Sequence, residues 1–429
     1  MQPFQLSPHP RPLSKMERGE ALSPTVQITK AGTPARPAGG PLRPGEGPGL
    51  PAGQAGVRFL LASDKFKGSL TAQQVCDSIA LTLQEQYPES LIEKFPMADG
   101  GEGTCDLLTS ISGGSKIVVK ARDPLFRSIE TFYGLSPDGK TAFIEMASAS
   151  GLQLLKQDER NPGLTSSVGT GDMIAHALTH GVKSIVLGCG GSGTNDAGIG
   201  MATALGFSFF GSDGKILQPI GENLSKIESI HSDEALKEIS GCKFLLITDV
   251  DNPLFGPQGA AFTFAPQKGA SPKDVEKLDQ GMKHFAQILE RYYHSGIIDF
   301  PGAGAGGGLP VSARAFLNAE IKPGIDFIIE FANLEEKIKR ADWVITGEGK
   351  FDQQSLHGKV VSGMARLCRQ YQKKLWVICG VSEVTERQAK QMGIEKVLTI
   401  SSTVSGKEEA MRNADELLRK EIRKALEDF

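Results

Sequence analysis

No run of about 18 apolar residues occurs in the 429-residue chain, so no segment reads as a bilayer-spanning helix. A basic block is missing outside the first residues, and the net charge is only −3; neither a nucleic-acid groove nor a membrane surface is indicated. The six cysteines (76, 105, 189, 242, 368 and 379) form no C-x-x-C pair. That scatter fits a reducing, cytoplasmic compartment better than a disulfide framework or a zinc site. Residues 1–56 have almost no periodic apolar pattern and no apolar h-region of a secretory signal. They hold 11 of the 24 prolines and nine glycines, too little apolar surface to offset the entropy of ordering, so a disordered tail is expected there. The prolines also break any amphipathic targeting helix, which favours an uncleaved tail or a misassigned start. With 39% apolar and 23% charged residues, the chain as a whole reads as a soluble globular protein of two or three domains.

What is there centres on residues 184–206, SIVLGCGGSGTNDAGIGMATALG. An apolar run suited to a buried strand (Ile185, Val186, Leu187) ends in a glycine cluster, and a helix-like segment follows. Strand, glycine loop and helix start form an anion cradle, because glycines admit a ligand close to the backbone and the helix start offers N–H groups. Thr194, Asn195 and Asp196 stand where the helix should begin. An aspartate beside a polyphosphate repels it unless a cation lies between, so a phosphate site working with Mg²⁺ is expected.

Other polar clusters stand at predicted strand ends, where open α/β sheets place ligands. Asp64, Lys65 and Lys67 follow a strand over 57–62, ahead of a helix started by Ser69 or Thr71. Asp99-Gly100-Gly101-Glu102-Gly103-Thr104 is a second turn, fit for a metal or hydroxyl site or a plain helix cap. Asp249 and Asp251 follow a buried strand over 244–248 and face one side, which suits Mg²⁺. Lys268 is a candidate cation for a phosphate, and Glu348 and Lys350 end a strand over 341–352. The glycine-rich run 301–310 reads equally as a linker or a tight ligand-lining turn.

Two motifs are decoys. Residues 134–141 satisfy G-x-x-x-x-G-K-[ST], but the flanking TFYGL and TAFIEMA make an Asp-Gly hairpin, not a P-loop. Residues 188–193 satisfy G-x-G-x-x-G with Asp213 about 20 residues on, a weak dinucleotide signal because Asp213 falls in its own turn. His176 and His180, four apart, have no third ligand nearby and read as a surface pair.

The last third alternates strands with helices as a parallel sheet does, and the N-terminal unit has the same style. The expected fold is α/β with two domains: a discontinuous flavodoxin-like parallel sheet (57–128 plus 285–429) and an inserted mixed α/β domain (129–284). Six motifs in order, DKFKGS (64–69), ADGGEGT (98–104), GGSGTND (190–196), DVDNPL (249–254), QKGA (267–270) and TGEGK (346–350), resemble the type 1 glycerate kinase family. The resemblance runs from about Val57 to the end; Gly193 stands where the family usually has Ala.

It implies ATP-dependent phosphorylation of the small molecule D-glycerate to 2-phosphoglycerate, with ATP and Mg²⁺ as cofactors. Homodimerisation stays open. On this reading the backbone of Gly190, Gly191, Ser192, Gly193, Thr194 and Asn195 binds ATP phosphates, with Lys268 and Glu348 also on the nucleotide side. Asp249 and Asp251 place Mg²⁺, and Lys67 offsets charge on phosphate or the glycerate carboxylate. Asp196 is the expected base, with Asp99 as its rival. A nicotinamide oxidoreductase and a non-catalytic sugar-acid binder are the alternatives; acidic groups at four loops argue against the binder, which gains nothing from them.

Overall fold

A computed structural model describes residues 56–427 except 99, 294–295, 357–358 and 401–406; the expected disorder of the N-terminal tail and the rival base Asp99 thus fall outside the described residues. Thirteen strands follow one another among the described residues. The first two are β1 (Arg58–Ser63) and β2 (Leu91–Lys94), followed by β3 (Ser115–Arg122), β4 (Ser128–Leu135), β5 (Thr141–Glu145) and β6 (Ser184–Gly188). Then come the short β7 (Ser208–Phe210) and β8 (Ser229–His231), β9 (Lys243–Thr248) and β10 (Glu320–Pro323). The last are β11 (Trp343–Phe351), β12 (Lys374–Ser382) and β13 (Lys396–Thr399).

Two sheets carry the fold, as expected. One is five-stranded and all parallel in the order β13-β12-β11-β1-β2. Counted within that sheet this is 2-1-3-4-5, the flavodoxin-like order, whose switch point lies between β1 and β11. The other has the order β10-β9-β6-β5-β4-β3, parallel from β10 to β5 and antiparallel from β5 to β3. β3 and β10 belong to this mixed sheet, outside the 129–284 expected for the inserted unit, because β3 pairs with β4 along eight residues and β10 with β9 along four. A short antiparallel pair, β7 and β8, stands apart.

The parallel strands read as unbroken apolar runs because both faces are covered. Helices Ala72–Gln86 and Ala414–Glu427 cover one face of the five-stranded sheet. A second buried cluster joins the two sheets: Leu60 and Val344 from one, Phe143, Val186 and Ile247 from the other, with Ile325, Ile328 and Met364 between them. Thr71 starts helix Ala72–Gln86 with a full capping box. Residues 136–139 turn β4 antiparallel into β5, so the P-loop-like string is a hairpin, at the amino end of β5. No described helix is long and apolar enough to cross a membrane.

Candidate active site

β6 delivers the glycine-rich loop at the carboxyl edge of the mixed sheet. Only its tip is accessible: Gly190 is half-buried and Gly191 exposed, whereas Ser192, Gly193, Thr194 and Asn195 are buried. Lys268 arrives from residues 266–268 beneath the loop and donates to Ser192 Oγ at 2.7 Å and to Thr194 O at 2.6 Å. Burial pushes its ammonium down to about 7, with Asp196 acting in the opposite sense. The side-chain oxygen of Thr194 and both polar atoms of the Asn195 carboxamide are buried without a hydrogen-bond partner among the described residues. Such groups cost about 1–3 kcal/mol each unless something pairs with them.

The structure corrects one expectation in this loop and bears on another. The helix does not begin at Thr194: it spans Ile199–Ala204, only six residues, after an αL cap at Gly198. Its free amides are already used, since Asp196 accepts from Gly198 N and Gly200 N at 3.2 Å each. Asp196 also accepts from Ser167 N at 2.7 Å and Ser167 Oγ at 2.8 Å and is 0% exposed. Burial raises its carboxyl, against those four donors. A general base has to reach the proton it takes. An enclosed carboxylate with both oxygens bonded fastens the loop to helix Val168–Thr179, a geometry that speaks against Asp196 as the base. The dinucleotide reading weakens with it, because no helix opens at the third glycine and Asp213 is an exposed turn residue paired with Lys215.

Against the loop tip lies the turn of residues 100–104. Gly190 N donates to Gly100 O at 3.3 Å, and a β-carbon built on Gly190 would sit 2.4 Å from Gly101 Cα, so only glycine fits there. Lys65, just past β1, donates to Glu102 O and lies 3.4 Å from its carboxylate. The turn therefore bridges the carboxyl edges of both sheets. Glu145, the last residue of β5, accepts from Gly103 N at 3.0 Å and Cys105 N at 3.3 Å, and burial pushes it up to about 7.

At the carboxyl end of β9, Asp249 and Asp251 line a cavity of about 950 Å³ together with Arg314, Gln353 and Lys359. Gln353 and Lys359 come from the segment after β11, so residues following strands of both sheets bound this cavity. Among the described residues no three His, Cys, Asp or Glu side chains gather as a metal cage. Mg²⁺ asks for less: one or two carboxylates suffice when phosphate and water oxygens complete its octahedron, which the two aspartates fit. At the switch point of the other sheet Asp64 N donates to Gly347 O at 2.9 Å, and a β-carbon built on Gly349, next to Glu348, would lie 3.1 Å from the Lys67 amide nitrogen. His176 and His180 stack at 4.1 Å on their helix, with Tyr133 Oη 3.1 Å from His176 Nδ1.

The profile of the glycerate kinase family matches residues 59–429. The chain belongs to that family. It is 39% identical over 360 residues to a glycerate kinase of Bacillus cereus, covering 84% of this chain and 94% of that one. It is 38% identical to a glycerate 2-kinase of Escherichia coli, covering 83% and 94%. The crystal structure assigned as glycerate kinase 2 from Salmonella typhimurium LT2 superposes with a TM-score of 0.74 at 37% identity, covering 87% of this chain and 98% of the other.

For a member of this family of phosphotransferases, the fold sorts the expected residues into three groups. Gly190 meets the turn of residues 100–104; Asp249 and Asp251 share the cavity with Lys359; Lys67 follows β1 and Glu348 lies on β11, its neighbour in the sheet. Ser192, Thr194, Asn195, Asp196 and Lys268 form a buried layer below. One participant had no sequence signal of its own, and another had two readings. Glu145 stood out only as an acid closing a buried strand run, and the glycines at 306–308, all at positive φ, pack on Cys189, Thr194 and Ala197 rather than forming a linker.

Proposed function

We propose that the chain transfers the γ-phosphoryl group of ATP to the 2-hydroxyl of D-glycerate, yielding 2-phosphoglycerate and ADP. The observation that carries this reading is the cavity that Asp249 and Asp251 line together with Lys359. An acid pair and a cation in one cavity suit a metal-bound polyphosphate and a small anionic acceptor.

Asp249 and Asp251 would hold Mg²⁺, which supplies charge neutralisation on the transferring phosphoryl group when bound. Lys359 and Lys67 supply positive charge to phosphate or glycerate carboxylate, and neither has an ion pair among the described residues. The glycerate oxygen forms the new bond to phosphorus as the bond to the ADP oxygen breaks, and its proton passes to a carboxylate. Asp196 being enclosed, that acceptor is assigned to Asp99, which precedes Gly100 in the sequence. The loop tip at Gly190 and Gly191 offers backbone to phosphate, while Lys268 acts from below by holding Ser192 and Thr194 in place. Walls drawn from both sheets allow closure over the substrates, which keeps water from the phosphoryl group.

The test is ADP release measured with ATP and Mg²⁺, with and without D-glycerate, and with NADH in a parallel cell. Glycerate-dependent ADP release and a product phosphorylated at the 2-position by phosphorus NMR are expected. No stimulation by glycerate would end this reading.

A further inference from the structure

Glu145 closes β5 opposite Gly188 of β6 and is only 6% exposed. A single oxygen, Oε2, takes both the Gly103 and Cys105 N–H groups; Oε1 takes no part in either bond. Those amides open helix Thr104–Ser112, whose N-cap is Gly103 at φ 96° with no side chain to offer. The first N–H groups of a helix need partners from outside it, and a carboxylate there is favoured by the helix dipole. Glu145 supplies that cap from another strand, 42 residues away in sequence from Gly103. The capped segment is the turn that sets Gly100 and Gly101 against the loop tip and Glu102 against Lys65. Whatever shifts this turn shifts the backbone lining both sheet edges at once.

We propose that Glu145 is a positioning residue for phosphoryl transfer: its carboxylate fixes the turn of residues 100–104 against the glycine-rich loop, and turnover requires that carboxylate charged. The effect on turnover rests on the kinase reading; the fastening of the turn does not. Protonation removes the charge from two charge-assisted bonds, which are about twice as strong as neutral ones. Burial brings the carboxyl to about 7, so this change falls near neutrality. The charged or titratable groups facing Glu145 are Lys65, which favours its ionisation, Glu102, which opposes it, and the Cys105 thiol, which burial keeps neutral up to about 12.

Glu145→Gln tests the idea in the full-length protein, because the amide keeps an oxygen for both N–H groups. In the wild type, kcat with ATP and glycerate should fall on the acid side with a midpoint near 7, and the backbone ¹⁵N shifts of Gly103 and Cys105 should titrate with it. In the variant both pH dependences should vanish, and kcat on the alkaline side should drop about tenfold with KM for ATP little changed. Glu102→Gln should lower the wild-type midpoint and Lys65→Met should raise it, opposite shifts that a merely structural carboxylate would not give. An acid limb retained in Glu145→Gln, or flat amide shifts in the wild type, overturns the proposal. Should the Gln variant fail to fold, midpoints unmoved in the other two variants overturn it equally. If the wild type shows no glycerate-stimulated turnover, the kinase reading fails; titrating amides still support the carboxylate as the fastener of the turn, and flat ones still refute it.

Discussion

Lys268 is 2% exposed, and its two hydrogen bonds go to a hydroxyl and a carbonyl of the glycine-rich loop. Unfolded, it holds its proton up to its ordinary value of 10.5; folded, only to about 7. Between those values the unfolded chain binds more protons, so stability rises with pH, and below 7 the cost of the buried charge is complete. Glu145 is the mirror image: ordinary value 4.5, folded about 7, so the folded state binds more protons in between and stability falls as pH rises. Lys268→Met should therefore stabilise the protein by about 3 kcal/mol more at pH ~6 than at pH ~9, read from urea unfolding. Glu145→Gln should do the reverse, gaining about 2 kcal/mol more at pH ~8 than at pH ~5. Gains independent of pH would show that neither side chain titrates as its burial implies. Residues that weaken the fold when charged, yet sit under or beside the loop tip, are better explained by the site than by stability.

At the scale of elements, the run of residues 301–310 is the clearest case of backbone serving the site. Gly307 has φ 72°, and a β-carbon there would lie 2.1 Å from Thr194 O, against the segment that carries the unpaired Thr194 hydroxyl and Asn195 amide. Gly307→Ala should cost about 2–4 kcal/mol in unfolding free energy and weaken ATP binding, measured by calorimetry on the folded fraction; unchanged affinity would separate this run from the site. Its composition alone left linker and turn equally open, because contact with Thr194 is made more than 100 residues away in the chain. The hairpin at residues 136–139 was legible for the opposite reason: its turn and both flanking strands are local. Strand ends were legible too, since buried runs stop at polar residues. What no local pattern carries is ownership of hydrogen bonds. Asp196 looked free to act between Asn195 and Ala197, but Ser167 and the amides of Gly198 and Gly200 claim it. Glu145 carried no signal because the amides it caps belong to a helix 40 residues away in the chain.

For the whole molecule, the decisive arrangement is that the cavity has walls following strands of both sheets, with Asp249 and Asp251 after β9 and Gln353 and Lys359 after β11. The sheets are already joined below it by the shared core of Leu60, Phe143, Ile247 and Val344 and at its edge by Lys65 and Glu102. A ligand that touches both walls adds to this joint only when it is bound. Lys359 makes no ion pair among the described residues, so the unliganded fold gains no ion-pair stabilisation from its charge. Lys359→Met should leave the unliganded melting temperature within about 1 °C, as surface changes away from special features do. The same variant should lose about 1.5–3 kcal/mol of anionic-ligand affinity, the worth of a hydrogen bond to a charged group. Because a ligand stabilises the folded state in proportion to the logarithm of its occupancy, the loss appears as a smaller upward shift of melting temperature with Mg²⁺, ADP and glycerate together. A full ligand-induced shift in the variant would mean that the wall following β11 takes no part in binding, and the cavity would then belong to the mixed sheet alone.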